Sequence, residues 1–265
     1  MRQATALGTS RAAGARPRAG KLLRLAYEHF VFYGLLAVFG ISSLAWSLPA
    51  ALLAPLLPRR WGERLGQFMI MAGFRYFVGL MKLTGIIKCD LSALDALRQA
   101  PAAVIAPNHP TLLDAVLVIS RLPRVVCTAK ARLLGNVFLG GGARLAGFIP
   151  NDAPTHLVRE GAKQLRAGRH LLIFPEGTRT AGTTLDGFKG GFALIAKLGV
   201  APVQTVFIES NSPFLSKGWP LLRKPEFPLV YRVRLGARFH ADGDLHGFVT
   251  RLESYYRCEL GRDEF

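Results

Sequence analysis

A long uncharged stretch near the start dominates the pattern of apolar and polar positions, because no charged side chain occurs from Phe30 to Leu57. This stretch exceeds the roughly 20 residues that a helix needs to cross a bilayer. A cleaved signal peptide has a shorter apolar core of about 7–15 residues, so we disfavour that interpretation. Two interpretations stay open. One is a transmembrane helix over Phe30–Leu48, with Pro49, Pro55 and Pro58 interrupting the second half of the stretch, and the other is the first half of a re-entrant or in-plane helix pair.

The second apolar segment, Trp61–Ile87, contains several charges and repeats its apolar residues every three or four positions. That spacing predicts an amphipathic helix. The apolar stripe of this helix either contacts the membrane or packs as in an ordinary core helix, and we favour the membrane. The stripe consists of Leu65, Phe68, Met69, Ala72, Tyr76, Gly79, Leu80 and Leu83.

Beyond residue 90 the pattern alternates between short apolar runs and amphipathic segments, which predicts a mixed sheet covered by helices, an α/β fold. We therefore divide the chain into a basic mobile tail (1–27), hydrophobic membrane-anchoring helices (28–88) and a catalytic domain (89–265). The predicted strands are Ala102–Ala106, Arg124–Thr128, His170–Phe174, Val200–Ile208 and Leu229–Phe239. The predicted helices are Thr111–Arg121, Pro154–Ala167, Phe188–Leu198 and Asp244–Leu260.

Composition narrows the classes of protein. Half of the 265 residues are hydrophobic and 19% are charged, which excludes a disordered chain. The net charge of +17 predicts an anionic partner: nucleic acid, anionic lipid or an acidic substrate. We disfavour nucleic acid because the chain has no zinc, RNP or helix-turn-helix pattern. The three widely spaced cysteines predict reduced thiols in a protein that faces the cytosol.

The first candidate site is the segment Asn108–Asp114, NHPTLLD, between a predicted strand and a predicted helix. Thr111 is expected to cap that helix, which places Asp114 in its first turn. A turn before the helix lets the imidazole of His109 fold back onto the Asp114 carboxylate, which would leave one basic ring nitrogen to deprotonate a hydroxyl. The alternative is a histidine in a turn and an aspartate that satisfies helix N–H groups.

The second candidate site, Phe174–Thr180 with the sequence FPEGTRT, also follows a predicted strand. Arg179 offers a planar set of donors for a phosphate, and Gly177 permits close approach of the backbone. Glu176 needs a hydrogen-bond partner, either a ligand hydroxyl or the loop itself. Lys189 adds a cation at a predicted helix start. The alternative is a surface turn with a salt bridge.

Together the two segments resemble the glycerolipid acyltransferase family, whose motifs are NHxxxxD and FPEGTR. The resemblance covers residues 85–210. It implies transfer of an acyl group from coenzyme A or acyl carrier protein to a lysolipid hydroxyl, most simply that of 1-acylglycerol-3-phosphate. It also implies that His109 is the general base and that Asp114 orients it. The residues expected to bind substrate are Asn108, Glu176, Gly177, Thr178, Arg179 and Lys189.

The chain departs from the family pattern at two places, and these departures leave the acceptor open. Asn151 and Asp152 follow Gly147–Pro150 where the family has an arginine, and Thr205 stands where the family has a second proline after Pro202. Alternative acceptors are an ornithine lipid, a glycolipid or a pigment precursor. A catalytically silent membrane scaffold is a further alternative.

We expect no metal, no prosthetic group and no nucleic-acid partner, and a location on the cytoplasmic face of the inner (plasma) membrane. The glycines from Gly135 to Gly147 are expected either to supply N–H donors to the thioester oxygen or to give their loop freedom.

Overall fold

The computed structural model describes residues 16–180 and 185–261, with side chains from residue 20 onward. The chain begins with two long helices, α1 (Arg16–Leu53) and α2 (Arg59–Leu83). Residues 16–27, which we predicted as the second half of a mobile tail, are helical and belong to α1. The tail prediction is therefore wrong for that part, and its first half lies outside the described residues.

Helix α1 continues through Pro49, where we predicted an interruption. The proline lies in the last turns of the helix, so its missing N–H removes one hydrogen bond close to the end, and the ladder continues with Ala54 N donating to the Ala50 carbonyl (3.0 Å). By length and composition, Gly20–Leu53 is the one described segment able to cross a membrane. Only 17% of its most apolar window is buried, whereas a core helix of a soluble protein is mostly buried. Helix α1 is therefore a candidate membrane anchor.

A seven-stranded mixed sheet forms the centre of the rest of the molecule, in the order β1-β7-β6-β2-β5-β3-β4. Strands β6 and β7 pair antiparallel, and every other neighbouring pair is parallel. The strands are β1 (Ile87–Asp90), β2 (Val104–Pro107), β3 (Val125–Ala129), β4 (Ile149–Pro150), β5 (His170–Leu172), β6 (Val203–Ser210) and β7 (Leu229–Phe239). The predicted α/β class is confirmed.

Helices cover both faces of this sheet, and the buried residues divide into two clusters accordingly. Along β2, Ile105 belongs to the cluster under α1 and α2, whereas Val104 and Ala106 belong to the cluster on the opposite face. This alternation follows from the period of two in a strand. The remaining helices are α3 (Leu113–Ile119), α4 (Ala131–Leu134), α5 (Gly140–Leu145), α6 (Pro154–Arg166), α7 (Gly191–Gly199) and α8 (Leu245–Gly261), and a 3₁₀ helix covers Ser92–Leu97.

The glycines of α5 let α1 approach closely, which corrects our expectation of a loop there. A Cβ on Gly141 would lie 1.9 Å from the carbonyl oxygen of Ser47 in α1. The Gly141 N–H donates to the Ser47 hydroxyl at 2.9 Å, so it is not available to a thioester oxygen. These glycines fix the position of α1 on the sheet domain.

The apolar stripe of α2 is largely unburied, although Leu80 packs against the core cluster under α1 and α2. None of its eight residues is buried, and Phe68, Tyr76 and Leu83 are 54%, 60% and 83% exposed. The buried residues of α2 are of two kinds: Gly62, Glu63, Gly66 and Gln67 are small or polar, and Met71, Val78 and Met81 are apolar. The stripe therefore does not pack as a core helix would.

Candidate active site

A histidine–aspartate pair lies at the carboxyl end of β2, as the first motif predicts. His109 lies in the turn after the strand, and its Nδ1 is 2.8 Å from Oδ2 of Asp114 in the first turn of α3. Because an ionised carboxylate only accepts hydrogen bonds, the proton lies on Nδ1 and Nε2 is unprotonated in the neutral ring. Nε2 has no hydrogen-bond partner among the described residues, and His109 lines a cavity.

Asp114 is fully buried, which raises the pKa of its carboxyl, while donors around it act in the opposite direction. Besides His109, these donors are the N–H of Thr111 to Oδ2 and the hydroxyl of Thr111 to Oδ1, both at 2.7 Å. We predicted that Thr111 caps α3, but its hydroxyl donates to the carboxylate instead. Three donors thus compensate for the burial of this acid.

The His109 ring and backbone are held by the second motif. The ring stacks on Phe174 with centroids 3.7 Å apart. The His109 N–H donates to Glu176 Oε1 at 3.1 Å, and the His109 carbonyl accepts from the N–H of Thr180 at 2.9 Å. The two motifs therefore form one structural unit.

Glu176 and Asn108 hold the loops, which corrects our assignment of both to substrate. Glu176 is 2% exposed and accepts from the Thr180 hydroxyl and the Asp186 N–H as well as from His109. Burial raises the pKa of its carboxyl. The Asn108 amide bonds in both directions to the backbone of Ile208 in β6, at 2.9 and 2.7 Å. Neither side chain is among the described residues that line the cavity.

The other four predicted binding residues all line the cavity: Gly177, Thr178, Arg179 and Lys189. Gly177 has a φ of +71°, and a Cβ there would lie 2.8 Å from the Lys189 side chain, so glycine serves both the turn and the close approach.

Arg179 also fixes a neighbouring loop. Its guanidinium donates to the carbonyls of Leu215 (2.9 Å) and Ser216 (2.7 Å), in the long loop between β6 and β7. These two bonds involve one nitrogen, so the remaining N–H donors of the guanidinium stay available to a ligand.

The cavity has a volume of about 1160 Å³ and lies between the two N-terminal helices and the sheet. Its walls on the helix side are mainly apolar, whereas its polar side contains the histidine and several cations. The apolar walls include Phe32, Phe39, Ile70, Phe74 and Phe77. The cavity thus brings a proton acceptor and cations together with an apolar surface suited to an acyl chain.

Sequence reasoning missed two cations of this cavity, Lys130 and Arg132. They follow β3 directly, and the carboxyl ends of parallel strands share one edge of the sheet, so their position after a strand was an available signal. Burial and the proximity of Arg132 lower the pKa of Arg179, while Asp114 opposes that shift. These cations would favour an anionic ligand.

No group of three or more His, Cys, Asp or Glu side chains within residues 16–180 and 185–261 is arranged to hold a metal ion. The chemistry that these residues themselves support is proton abstraction by His109 next to an anion-binding surface.

Comparisons with known proteins identify an acyltransferase domain. A family model described as Acyltransferase matches residues 88–209. A 1-acyl-sn-glycerol-3-phosphate acyltransferase of Pseudomonas aeruginosa is 25% identical over 221 residues, covering 81% of each chain. The human 1-acyl-sn-glycerol-3-phosphate acyltransferase beta is 30% identical over 195 residues, covering 69% of this chain and 66% of the human one.

Two further relatives bear on the acceptor and on the fold. A lyso-ornithine lipid O-acyltransferase of P. aeruginosa is 39% identical over 83 residues, covering 26% of this chain and 32% of that one. The crystal structure of the 1-acyl-sn-glycerophosphate acyltransferase of Thermotoga maritima shares the fold, with a TM-score of 0.65, 18% identity and coverage of 92% of this chain and 98% of that one. Residues 88–209 therefore form an acyltransferase domain, and the protein is an acyltransferase of the 1-acyl-sn-glycerol-3-phosphate acyltransferase type.

Proposed function

We propose that this enzyme transfers an acyl group from a coenzyme A or acyl carrier protein thioester to the free hydroxyl of 1-acylglycerol-3-phosphate, giving phosphatidic acid. One observation carries the proposal: His109, whose Nε2 has no hydrogen-bond partner among the described residues, lines the same cavity as the cations Arg179 and Lys189 and the apolar walls of α1 and α2. Such a cavity suits a substrate with an anionic head, a hydroxyl and an acyl chain.

In the proposed reaction His109 acts as general base. Its Nε2 takes the proton of the acceptor hydroxyl while that oxygen attacks the thioester carbonyl, and Asp114 stabilises the imidazolium that forms. The tetrahedral intermediate then collapses, the carbon–sulfur bond breaks, and the imidazolium returns the proton to the leaving thiolate. The products are the ester and the free thiol, and the reaction needs no metal or prosthetic group.

The acceptor phosphate would bind to the cations of the cavity. Arg179 keeps free donors for a bidentate contact, and Lys130, Arg132 and Lys189 add positive charge nearby. Lys130 and Arg132 would compensate for the arginine that the family has after Gly147–Pro150 and this chain lacks. The same positive field would attract the phosphates of coenzyme A or the acidic surface of an acyl carrier protein.

A second acceptor has specific support. Asp152 lines the same cavity, and its carboxylate could pair with the ammonium group of a lyso-ornithine lipid. A relative with that name matches part of this chain. An assay of acyl transfer to each of the two lipids distinguishes these acceptors.

We further propose that α1 and α2 lie in one leaflet on the cytoplasmic face of the membrane. Helix α1 contacts the rest of the molecule from Glu28, paired with Lys224 at 2.8 Å, to Ser47, against Gly141. At 1.5 Å per residue these contacts extend over roughly 29 Å, about the thickness of the hydrocarbon core. A helix that crossed the bilayer would be separated from a water-exposed domain over that length. The exposed residues of the α2 stripe, Phe68, Tyr76 and Leu83, support the same arrangement.

The test of the reaction compares the wild-type enzyme with His109→Ala in detergent, using labelled palmitoyl-coenzyme A. The acceptors are 1-acylglycerol-3-phosphate, lysophosphatidylcholine and lyso-ornithine lipid. We expect transfer to 1-acylglycerol-3-phosphate, reduced about 10²–10⁴-fold in the variant. The control is His246→Ala, at an exposed position of α8. Full activity of His109→Ala would refute the general base, and transfer to lyso-ornithine lipid alone would refute the acceptor.

The orientation is tested with the exposed thiol of Cys258. A membrane-impermeant maleimide should label this cysteine only after intact cells are permeabilised. Labelling before permeabilisation would contradict a cytoplasmic location.

A further inference from the structure

A chain of buried hydrogen bonds lies behind the histidine–aspartate pair and includes a tyrosine of β7, the strand separated from β2 by β6. The hydroxyl of Tyr231 in β7 is 3.1 Å from the hydroxyl of Thr111, which donates to Asp114 Oδ1 at 2.7 Å. Tyr231 is 2% exposed, Thr111 1% and Asp114 not at all. Water therefore does not reach these bonds, and each polar group depends on its protein partners.

The direction of each hydrogen bond follows from counting protons. The Thr111 hydroxyl has one proton, which it donates to the Asp114 carboxylate, so toward Tyr231 it can only accept. Tyr231 must then be the donor. Burial and the nearby Asp114 charge raise the pKa of Tyr231 to about 12, so the phenol keeps its proton throughout the physiological range. The order is Tyr231 to Thr111 to Asp114, and Asp114 in turn accepts from His109.

The carboxylate needs this support because its own torsion does not fix it. The χ2 torsion of an aspartate has a broad, roughly two-fold profile rather than sharp wells. Oδ2 of Asp114 is shared between the N–H of Thr111 and the ring of His109, and the Thr111 hydroxyl is the donor that holds Oδ1. Fixing Oδ1 thus sets the direction in which Oδ2 meets the imidazole.

We propose that Thr111 and Tyr231 are positioning residues of the acyl-transfer reaction, which together hold the Asp114 carboxylate in the orientation that directs His109. This inference rests on the proposed role of His109 as general base. It extends the catalytic unit from the loop after β2 to β7, at the other side of β6.

Loss of the Thr111 hydroxyl has a predictable effect on pH dependence. That hydroxyl lowers the pKa of Asp114, against the larger effect of burial, so its removal raises this pKa further. The other charged or titratable groups around the chain are His109 and Arg179 near Asp114, and Cys89 near Tyr231. None of them replaces the lost donor. Asp114 then becomes neutral at a higher pH, so the acidic limb of the pH profile of kcat moves to higher pH.

The experiment measures kcat, KM and the pH profile of four variants. In Thr111→Val we expect kcat to fall about 10- to 100-fold, as for loss of one hydrogen bond to a charged group, with the acidic limb moved to higher pH and KM unchanged. Thr111→Ser keeps the hydroxyl and should therefore show the wild-type kcat and an acidic limb at the wild-type pH. Tyr231→Phe should lower kcat about 3- to 10-fold, as for loss of a neutral hydrogen bond, with the limb moved in the same direction.

Tyr255→Phe is the control, because that hydroxyl contacts the Ala237 N–H and not this chain of bonds. Wild-type kcat and an unmoved limb in Tyr231→Phe would overturn the role of the tyrosine, and the same result in Thr111→Val would overturn the whole proposal. If Thr111→Val does not fold, Tyr231→Phe decides, because it removes the donor to the Thr111 hydroxyl and leaves Thr111 in place. An inactive His109→Ala beside a normal Tyr231→Phe refutes only this inference, whereas an active His109→Ala refutes the proposed base.

Discussion

Replacing Glu176 with glutamine tests whether the acid of the second motif holds its loop or binds substrate. Its two oxygens accept from the His109 N–H (3.1 Å), the Thr180 hydroxyl and the Asp186 N–H (3.1 Å). In Glu176→Gln one oxygen becomes an NH₂ group. If the remaining oxygen faces His109, the NH₂ faces the Asp186 N–H, and two donors oppose each other. The Thr180 hydroxyl can turn to accept instead.

The size of the effect follows from these partners. Loss of one hydrogen bond to a charged group costs about 1.5–3 kcal/mol. Part of this lost stability is offset. Burial raises the pKa of Glu176, so the buried carboxylate is costly to ionise, and the neutral amide of glutamine avoids that cost. We expect a net loss of about 1–2 kcal/mol in the free energy of unfolding, which corresponds to roughly 2–8 °C in Tm for a protein of this size.

The pH dependence of this loss has a defined sign. Because the folded-state pKa of Glu176 is raised above 4.5, ionisation opposes folding, and wild-type stability falls as pH rises from that value through the folded-state pKa. Glutamine does not ionise, so the Tm difference between wild type and variant should be larger at about pH 5 than at about pH 8.

The assay is thermal unfolding in detergent, together with KM for the acceptor. The matched control is Glu226→Gln, at an exposed position of the loop between β6 and β7, which should leave Tm unchanged. An unchanged Tm in Glu176→Gln with a selectively raised acceptor KM would show that Glu176 binds substrate, and the loop-holding role would be refuted.

Two further predictions follow from the packing of α1 and from the Arg179 contacts. Gly141→Ala places a Cβ 1.9 Å from the Ser47 carbonyl oxygen and should lower Tm by several degrees. Gly79→Ala is the control, because a Cβ there meets nothing within 4 Å and should leave Tm unchanged or raise it. Equal Tm values for the two variants would contradict the close packing of α1 on α5. Arg179→Lys loses the planar donor set and should raise KM for the phosphate-bearing acceptor about 10-fold, the range for one charge-assisted hydrogen bond. Arg223→Lys is the control, because the Arg223 guanidinium stacks on the Trp219 ring and this change should leave that KM unaltered. A raised KM for the acyl donor alone would assign Arg179 to the donor instead.

Strong periodicity made some elements predictable from the sequence. Strand β7 runs from Leu229 to Phe239 as predicted, because its strict alternation leaves one interpretation. The preceding strand begins at Val203 rather than Val200, since Val200 has a left-handed φ of +51° after α7 and Pro202 has no N–H for the ladder. Local pattern sets a strand's existence, whereas its start depends on how the helix before it ends.

The elements that the sequence did not reveal are short or depend on contacts with distant parts of the chain. Strand β4 has two residues, the second a proline, and β1 has four that include Lys88 and Asp90, so neither forms an apolar run like those that revealed the equally short β2 and β5. Helix α5 begins with three glycines, which have poor helix propensity, and Gly141 meets Ser47, almost a hundred positions earlier in the chain. No local pattern contains that partner.

The same limit explains why the motifs identified the site but not the task of each residue. A catalytic loop needs polar side chains that face the ligand and polar side chains that hold the loop, and both kinds occur side by side in one motif. His109 and Arg179 line the cavity, whereas Asn108 and Glu176 are buried against backbone N–H and C=O groups. Because a buried polar group without a partner is costly, burial forces the second kind to satisfy the backbone. Residue type therefore locates the chemistry, and burial decides which of its residues can touch the substrate.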